Sequence, residues 1–227
     1  MSKRIVIRAE YARLIQPYLS KEETRYYLQG FHVEPAPTKG VFIIGTDGHK
    51  MGCFYDAEGV CDAPAIVRLD RWMVGLLKES TREKRDTSIG RYLLVEAEEK
   101  RASVYWGSPL DGGRFIASQG DTIVDGTFPD WRRVIPVFQT TGLHAPMLKL
   151  ENLAALLSSS KAADKDSPAG MFRAFAKGDA DPVYVVTGRT DFVGIFMPMR
   201  DTPTAQFTLP TWFPAPHPPA KTEKSRG

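Results

Sequence analysis

The residues best suited to chemistry are the four histidines and two cysteines, and their spacing argues against a catalytic or metal centre. His49 follows Asp47 in a short polar turn, a pair that transfers protons only when further groups converge on it. The remaining candidates show neither a metal-ligand spacing nor a CxxC pair. They are His32, His144, His217, Cys53 and Cys61. The sequence therefore predicts a protein that is not an enzyme and that needs no metal or other cofactor.

A second set of residues, lysines and arginines, is suited to binding phosphate rather than to catalysis. The formal charge of the 227 residues is only +3, which permits contact with nucleic acid but does not resemble a protein that coats it. Several basic residues nevertheless lie on the outer face or at the end of two predicted helices. There they either contact a sugar–phosphate backbone without reading its sequence or line an ordinary solvated face. These residues are Arg71, Lys78, Arg82, Lys84, Arg85, Lys161 and Lys165.

The elements that position these side chains repeat along the chain. Three times, a short apolar strand precedes an amphipathic helix, and two or three strands follow, separated by Gly, Asp or Pro turns. The pattern predicts an α+β protein of three βαβββ units. The first unit is predicted as a strand at 5–7, a helix at 11–19 that Pro17 loosens, and strands at 26–33, 41–45 and 51–55.

The second and third units follow the same order. Asp70 is placed to cap the second helix. The buried face of that helix is predicted to carry Leu69, Trp72, Met73, Leu76 and Leu77. The strands of the second unit are predicted at 65–69, 92–97, 103–106 and 114–118. The third unit is predicted as a strand at 147–150, a helix with Leu153, Leu156 and Leu157, and strands at 171–176, 183–187 and 192–197.

Composition indicates the class of protein. A hydrophobic content of 42% suffices for a core, whereas residues from 201 onward are rich in proline and predicted to be extended or disordered. No run approaches the roughly 20 apolar residues that span a bilayer. Two cysteines without a secretory leader suit a reducing compartment. We therefore expect a soluble cytoplasmic protein without membrane contact.

Four segments resemble motifs of one protein family, in that family's order. Residues 24–30 (TRYYLQG) resemble its TRYYLNG strand, and residues 46–51 (TDGHKM) resemble its ATDGHRL turn. Residues 125–136 (DGTFPDWRRVIP) resemble its connector DGRFPDYRRVLP, and residues 197–200 (MPMR) match its terminal motif. Because four motifs in collinear order are hard to obtain by chance, the chain resembles the bacterial DNA sliding clamp, the beta subunit of DNA polymerase III.

The resemblance implies a domain order and an assembly. Residues 1–136 correspond to the middle domain of the clamp and residues 137–200 to half of its last domain, which leaves residues 201–227 as the Pro-rich tail. The implied DNA-clamp fold has helices on the inner face of a ring and antiparallel sheets on the outer face. Since the family's ring contains twelve units, three units per chain imply a homo-oligomer of four chains.

The resemblance also implies a function. A sliding clamp is a non-enzymatic replication processivity factor that encircles duplex DNA, is placed there by a clamp loader, and tethers DNA polymerase and repair proteins. Its helices line the channel, so the basic residues named above become the DNA-facing set. The expected place of action is the cytoplasm of a bacterium or of a phage-infected bacterium. The alternative is a non-ring adaptor or decoy that binds clamp-interacting proteins without enclosing DNA.

The family's pocket for linear motifs lies between its middle and last domains, where flexible methionine side chains suit varied ligands. Lys50 and Met51 replace Arg and Leu of the family's motif, which implies a different motif preference. Without the resemblance, the methionine and leucine residues of this pocket would be interpreted as core residues. The positions carried over to the pocket are Leu28, Thr46, Gly48, His49, Lys50, Met51, Pro136, Ile195, Met197, Pro198, Met199 and Arg200.

The tail contains a segment that resembles a clamp ligand. Gln206 and Leu209 have the spacing found at the core of clamp-binding peptides, and Trp212 and Phe213 follow. One interpretation is a self-ligand that competes with partners through its high local concentration. The other is a Pro-rich tail in which these residues are incidental.

Overall fold

A computed structural model of the chain describes residues 3–79, 90–135, 148–160, 172–178 and 180–199. The strands are β1 (Arg4–Arg8), β2 (Phe31–Pro35), β3 (Val41–Thr46), β4 (Lys50–Asp56), β5 (Val60–Cys61), β6 (Ala65–Val67), β7 (Arg91–Glu96), β8 (Arg101–Trp106), β9 (Arg114–Gln119), β10 (Ile123–Val124), β11 (Phe172–Phe175), β12 (Val183–Thr187) and β13 (Phe192–Phe196). The α-helices are α1 (Ala9–Leu14), α2 (Arg71–Leu76) and α3 (Leu150–Ser160). Within these described ranges, no helix is long and apolar enough to cross a bilayer.

The strands form two antiparallel sheets that exchange strands between units. The five-stranded sheet has the order β5-β1-β7-β8-β9, and the eight-stranded sheet has the order β10-β6-β2-β3-β4-β13-β12-β11. The first strand of the first unit, β1, therefore lies beside β7 of the second unit, and β6 of the second unit lies beside β2 of the first. This arrangement of antiparallel sheets with few helices agrees with the predicted α+β clamp fold.

The main core is one cluster to which both sheets contribute an apolar face. β7 buries every second residue, and its Leu93 pairs in the interior with Ile7 of β1, a strand that buries Ile5, Val6 and Ile7 in succession. In the eight-stranded sheet β2 also alternates, and its Val33 pairs with the buried Ile43 of β3. The helices add Met73 and other residues, which makes the first two units a continuous sandwich.

Three adjacent glycines let the first helical segment pack directly on the sheet. Gly52 pairs with Gly45 on one side and with Gly194 on the other. A Cβ on Gly52 would lie 2.9 Å from the ring of Tyr18, which is fully buried. Pro17 loosens the helix as predicted, because α1 ends at Leu14 and a 3-10 turn continues through Gln16–Tyr18. That turn carries Tyr18 onto the glycine row.

The prediction of a strand from residue 26 is wrong for its first half. Residues Glu23–Leu28 form 3-10 turns, and β2 begins only at Phe31. The neighbouring strand β6 ends at Val67, opposite Phe31, so within the described part of the chain the residues before Phe31 have no β6 residue to pair with. The backbone N–H of Ser20 instead donates to the carbonyl oxygen of Leu28 at 2.9 Å. Leu28 is therefore buried from a turn rather than from a strand.

The predicted buried face of α2 is only partly correct. Met73 and Leu77 are buried and Leu69 nearly so, but Leu76 is half-buried and Trp72 is 50% exposed. A helix of six residues contacts the core through one side only, and Trp72 lies about 100° around the axis from Met73. Asp70 holds the N-cap position without a side-chain capping bond.

The third unit reproduces the predicted helix and three strands but not the predicted first strand. Leu148 and Lys149 lie outside any strand, and Leu150 already begins α3. β13 pairs with β4, so the strands of the third unit extend the sheet of the first. On α3, Leu156 is buried while Leu153 and Leu157 are exposed.

Candidate functional site

A second apolar cluster lies on the face of the eight-stranded sheet that points away from the main core. Because side chains alternate along a strand, the residues between those of the main core face this side. Ile44, Met51 and Ile195 from β3, β4 and β13 are buried there, and Met51 pairs directly with Ile195. We call this group the outer-face cluster. The residues packed around it are Phe42, Cys53, Phe128, Trp131, Val134, Tyr184 and Val193.

The turn between β3 and β4 is organised by the side chain of Asp47. Its Oδ1 accepts the backbone N–H groups of His49 and Lys50, both at 2.9 Å, and its Oδ2 accepts the ammonium of Lys50. Thr46 Oγ1 donates to the Lys50 carbonyl at 2.8 Å and accepts the Gly48 N–H at 3.0 Å. Burial acts to raise the pKa of Asp47, but these bonds outweigh it and hold the pKa below its usual value. These hydrogen bonds hold the turn in one conformation.

This turn is joined both to the end of β13 and to the 3-10 segment. The N–H of Met197 donates to the His49 carbonyl at 2.8 Å, and Arg25 Nη1 donates to the Asp47 carbonyl at 3.3 Å. Gly48 has a φ of +89°, and a Cβ there would lie 2.7 Å from the Arg25 guanidinium. Three of the four motif segments therefore meet at this turn, although they are far apart in sequence.

The fourth motif segment lies over the outer-face cluster. Phe128 stacks on His32 with ring centroids 4.8 Å apart and an interplanar angle of 9°. Trp131 contacts Phe42 edge-on at 5.7 Å. Sequence reasoning did not assign a role to these aromatic residues, although their position between predicted strands, in a segment of the family's connector, was a usable signal. They cover apolar side chains that would otherwise face solvent.

An ion pair fixes the same connector to β2. Arg132 donates to Glu34 at 2.6 Å, and its guanidinium lies 4.4 Å from the centre of the Trp131 ring. Glu34 also contacts His32 Nε2 at 3.2 Å. Burial lowers the pKa of His32, and the contact with Glu34 offsets only part of that effect. At neutral pH the His32 ring is therefore uncharged, and Phe128 stacks on it.

The rim of the site is exposed and adaptable. Gly48 and His49 at the turn and Met197 and Met199 after β13 are exposed, whereas Met51 in the same turn segment is buried. Methionine side chains beside a rigid turn and an apolar floor can accommodate large apolar ligand groups of different shapes. Lys50 is held by Asp47, so its charge supports the turn.

Other predicted residues divide between exposed positions and positions outside the described residues. Arg71 is exposed at the start of α2, and Lys78 is exposed just after its end. Pro136 and Arg200 of the predicted pocket, and the tail residues Gln206 and Leu209, lie outside the described residues. The same holds for Arg82, Lys84, Arg85, Lys161 and Lys165. Among the residues described, no three His, Cys, Asp or Glu side chains group as a metal site.

A polar network that the sequence did not predict holds the third unit in position. Asp191, between β12 and β13, accepts Nε and Nη2 of Arg189 at 2.8 and 2.6 Å and the hydroxyl of Tyr11 at 2.9 Å. Burial acts to raise the pKa of Asp191, but the bonds from Arg189 and Tyr11 lower it. Since Tyr11 belongs to α1, the network positions β13 and hence the rim of the site.

Comparison with known proteins agrees with the fold. No family model matches the chain. The beta sliding clamps of two Caulobacter vibrioides strains are 27% identical to it over 125 residues, which cover 52% of this chain and 29% of theirs. A ligand-bound sliding clamp from Pseudomonas aeruginosa superposes with a TM-score of 0.61 at 16% identity, covering 87% of this chain and 66% of that one.

A Bartonella birtlesii sliding clamp bound to griselimycin gives a TM-score of 0.52 at 16% identity over 88% of this chain and 66% of that one. The Bacillus subtilis clamp gives 0.52 at 13% identity, with 88% and 64% covered. Identities this low establish the fold alone. The chain spans less than a third of the curated relatives' length and about two thirds of the solved structures. The resemblance drawn from the four motifs is confirmed, and this chain has the fold of the bacterial DNA sliding clamps.

Proposed function

We propose that this chain is a subunit of a ring that encloses duplex DNA and tethers a polymerase and other proteins through short peptide motifs. The observation that carries the proposal is the meeting of the turn at 46–51, the end of β13 and the connector on a clamp fold. The expected place of action is the cytoplasm of a bacterium. Tethering needs a binding site but no catalytic group.

Peptide binding is supported by the division of the site into a fixed floor and an exposed rim. Met51 and Ile195 form an apolar floor, and Asp47 keeps the adjoining turn in one conformation. Exposed Met197 and Met199 flank this floor. A peptide with a glutamine and one or two large apolar side chains would hydrogen-bond at the turn and bury its apolar groups against the methionines.

Contact with DNA is supported by charge alone at the described positions. Arg71 and Lys78 are exposed at the two ends of α2, where they can contact phosphates without reading base sequence. A ring needs only weak attraction of this kind, because enclosure rather than affinity keeps it on the duplex. With three units in each copy, four copies make a ring of twelve units. A clamp loader would open such a ring.

The experiment has two stages. Light scattering at several concentrations measures the mass of the assembly, and the retained fraction is then compared on closed circular and linearised DNA of one sequence. A topological ring stays on the circle and is lost through the free ends of the linear molecule. Equal loss from both forms after incubation with a clamp loader contradicts the ring.

The second candidate is an adaptor that binds clamp-interacting proteins without enclosing DNA. It is favoured by one observation: the turn, the floor and the exposed methionines all come from a single chain. Peptide binding then needs no ring. A chain that binds a motif peptide as a monomer and ignores DNA topology would identify the adaptor.

A further inference from the structure

Trp72 of α2 presents a large aromatic ring to solvent. Its side chain is 50% exposed, although tryptophan is a residue that folding usually buries in large part. Trp131, by contrast, is partly buried and packs between Phe42 and the guanidinium of Arg132. No hydrogen bond or ring contact joins the Trp72 side chain to another of the described residues. A single exposed apolar residue is common on protein surfaces, so the neighbours of Trp72 must decide what it contacts.

Two exposed cations flank Trp72 along the chain. Arg71 precedes it, and Lys78 follows the end of α2. Neither pairs with a carboxylate in the described part of the chain, whereas Arg132 of the connector binds Glu34 at 2.6 Å. At a rise of 1.5 Å per residue, the two cations leave the backbone about 10 Å apart. The exposed ring therefore lies between two free positive charges, an arrangement complementary to a polyanion.

The space beside the ring is open. Residues three positions apart are neighbours on a helix surface, and the residue three positions after Trp72 is Gly75. A Cβ on Gly75 would meet no atom within 4 Å. Because a glycine inside a helix weakens it, this opening has a cost in stability. A flat group can therefore approach the indole across the helix backbone.

The opposite side of α2 fixes the helix. Met73 and Leu77 are buried in the main core. Two carboxylates lie near the ends of the helix, and they are not equivalent. Glu79 accepts the backbone N–H of Arg91 at 3.3 Å and so is tied to β7. Asp70 is exposed directly before the helix and opposes the binding of a phosphate there.

We propose that α2 binds single-stranded DNA, with Trp72 stacked on an unpaired base and Arg71 and Lys78 in contact with the neighbouring phosphates. Every base has an aromatic face, so stacking of this kind is independent of sequence, and the cations add an attraction that salt weakens. In a duplex the next base pair covers each base face. The indole therefore finds a face to stack on where the strand is unpaired.

The inference deepens the proposed function and rests on it for one point, that the polyanion is DNA. A ring on a duplex also meets the single strand that continues beyond the last base pair. There the stacked indole would hold the chain in place. On the duplex itself only the cations would act, and their attraction does not oppose sliding.

The first test compares two forms of DNA with the full chain. Fluorescence anisotropy at low salt measures binding to a labelled single strand of mixed sequence and to the blunt duplex that contains it. Trp72→Ala should weaken single-strand binding about tenfold and change duplex binding by less than about twofold. Trp72→Phe should restore part of the loss, because phenylalanine also stacks on bases. Circular dichroism shows whether each variant is folded.

The matched control is Phe115→Ala on β9. Phe115 is 54% exposed, slightly more than Trp72, but its ring already packs edge-on against Tyr105 with centroids 5.7 Å apart. Removing it takes away a similar exposed aromatic surface at a different place. Its affinities for the single strand and for the duplex should both equal those of the unmodified chain.

The second test separates stacking from charge through the salt dependence. Arg71→Gln and Lys78→Gln should weaken binding to both DNA forms, and each should lower the salt slope for the single strand by about 0.7. Trp72→Ala should leave that slope unchanged, because the indole carries no charge. Asp70→Asn removes a carboxylate beside the phosphates and should strengthen binding to both forms.

Three results would overturn the inference. They are no single-strand binding by the unmodified chain at low salt, unchanged single-strand binding in folded Trp72→Ala, and an equal loss for single strand and duplex. Weaker binding of a motif peptide to Trp72→Ala, with unchanged DNA binding, would identify a protein as the partner of this ring instead. Failure of retention on circular DNA, with the preference for single strands intact, would count against the proposed ring alone.

Discussion

The first two units and the third unit share an element order but differ in how they are stabilised. The first two bury each other's sheet edges and helix faces in a common core. The third unit adds Leu156, Phe192 and other residues to the same core, and it is also attached to the first unit by the β4–β13 pairing, a shared glycine row and the Arg189–Asp191–Tyr11 network. A repeated sequence pattern thus specifies local structure, while stability depends on which neighbour each unit finds.

The attachment of the third unit differs from that of the first two in that it includes a buried ion pair. Arg189 is only 7% exposed and binds Asp191 through two nitrogens. An ion pair of this kind contributes mainly through the damage caused when one partner is removed. Removing one partner of this pair should therefore destabilise the third unit more than removing one partner of an exposed pair.

The largest effect is expected for Arg189→Ala. It leaves the Asp191 carboxylate without its cation, and we expect a loss of about 3 kcal/mol in the free energy of unfolding. Hydrogen exchange should accelerate in β13 more than in β7. Denaturant unfolding measures the energy, and Lys39→Ala is the control because its pair with Glu58 is largely exposed. Equal acceleration in both strands would show that the two regions do not differ.

The next effect is expected for Gly52→Ala in the glycine row. A Cβ there would lie within 3.0 Å of three atoms of the Tyr18 ring, and overpacking of this kind costs about 1–3 kcal/mol. Thermal unfolding measures the change. Gly120→Ala is the control, because a Cβ at that position meets no atom within 4 Å. Identical melting of the two variants would argue against tight packing at the row.

A smaller effect, on binding rather than stability, is expected for Gly48→Ala at the turn where the two regions meet. The positive φ and the close Arg25 guanidinium oppose a Cβ, so the turn shifts and a motif peptide should bind roughly tenfold more weakly. Gly112→Ala has a similar φ of +79° but open space around it, and it should leave peptide affinity unchanged. Fluorescence anisotropy with a labelled peptide measures both. Equal peptide affinities of the two variants would indicate that the peptide binds elsewhere on the protein.

The smallest expected effect is a difference between the two regions in how their stability changes with pH. Folding lowers the pKa of His32, so the unfolded chain binds more protons below the ordinary value of 6.5 and stability falls as the pH drops through it. Folding also lowers the pKa of Asp191, so that contribution is lost only below its ordinary value of 3.8. As the pH falls, the connector at 125–136 should therefore lose stability before the Asp191 network does. His32→Gln should remove the loss of stability that occurs at the higher pH. A single step near 3.8 in the unmodified chain would contradict this order.

The sequence predicted much of the local structure. Alternating apolar residues indicated most strands of the first two units to within a few residues, and Pro17 indicated the early end of α1. The predictions that failed concern residues whose structure depends on contacts with distant parts of the chain. Residues 26–30 were predicted as the start of a strand, but among the described residues the neighbouring strand β6 does not extend far enough to pair with them. Trp72 fitted a helical stripe, but a six-residue helix buries only one side.

The candidate site was predicted as a set of motifs and not as a geometry. The turn at 46–51 could be recognised because Asp47 and Gly48 determine its conformation within a few residues. The aromatic cover from Phe128 and Trp131 could not be derived, because it depends on which face of the sheet the connector crosses.

By itself, the sequence determined the repeated strand and helix periods, the rigid turn and the order of the clamp motifs, because these depend on residues close together in the chain. Only the tertiary structure decided that β4 pairs with β13 and that Tyr11 meets Asp191. Periodicity defines which face of a strand is apolar, but it does not define which distant strand lies alongside. Which strands pair is decided by the packing of the whole chain.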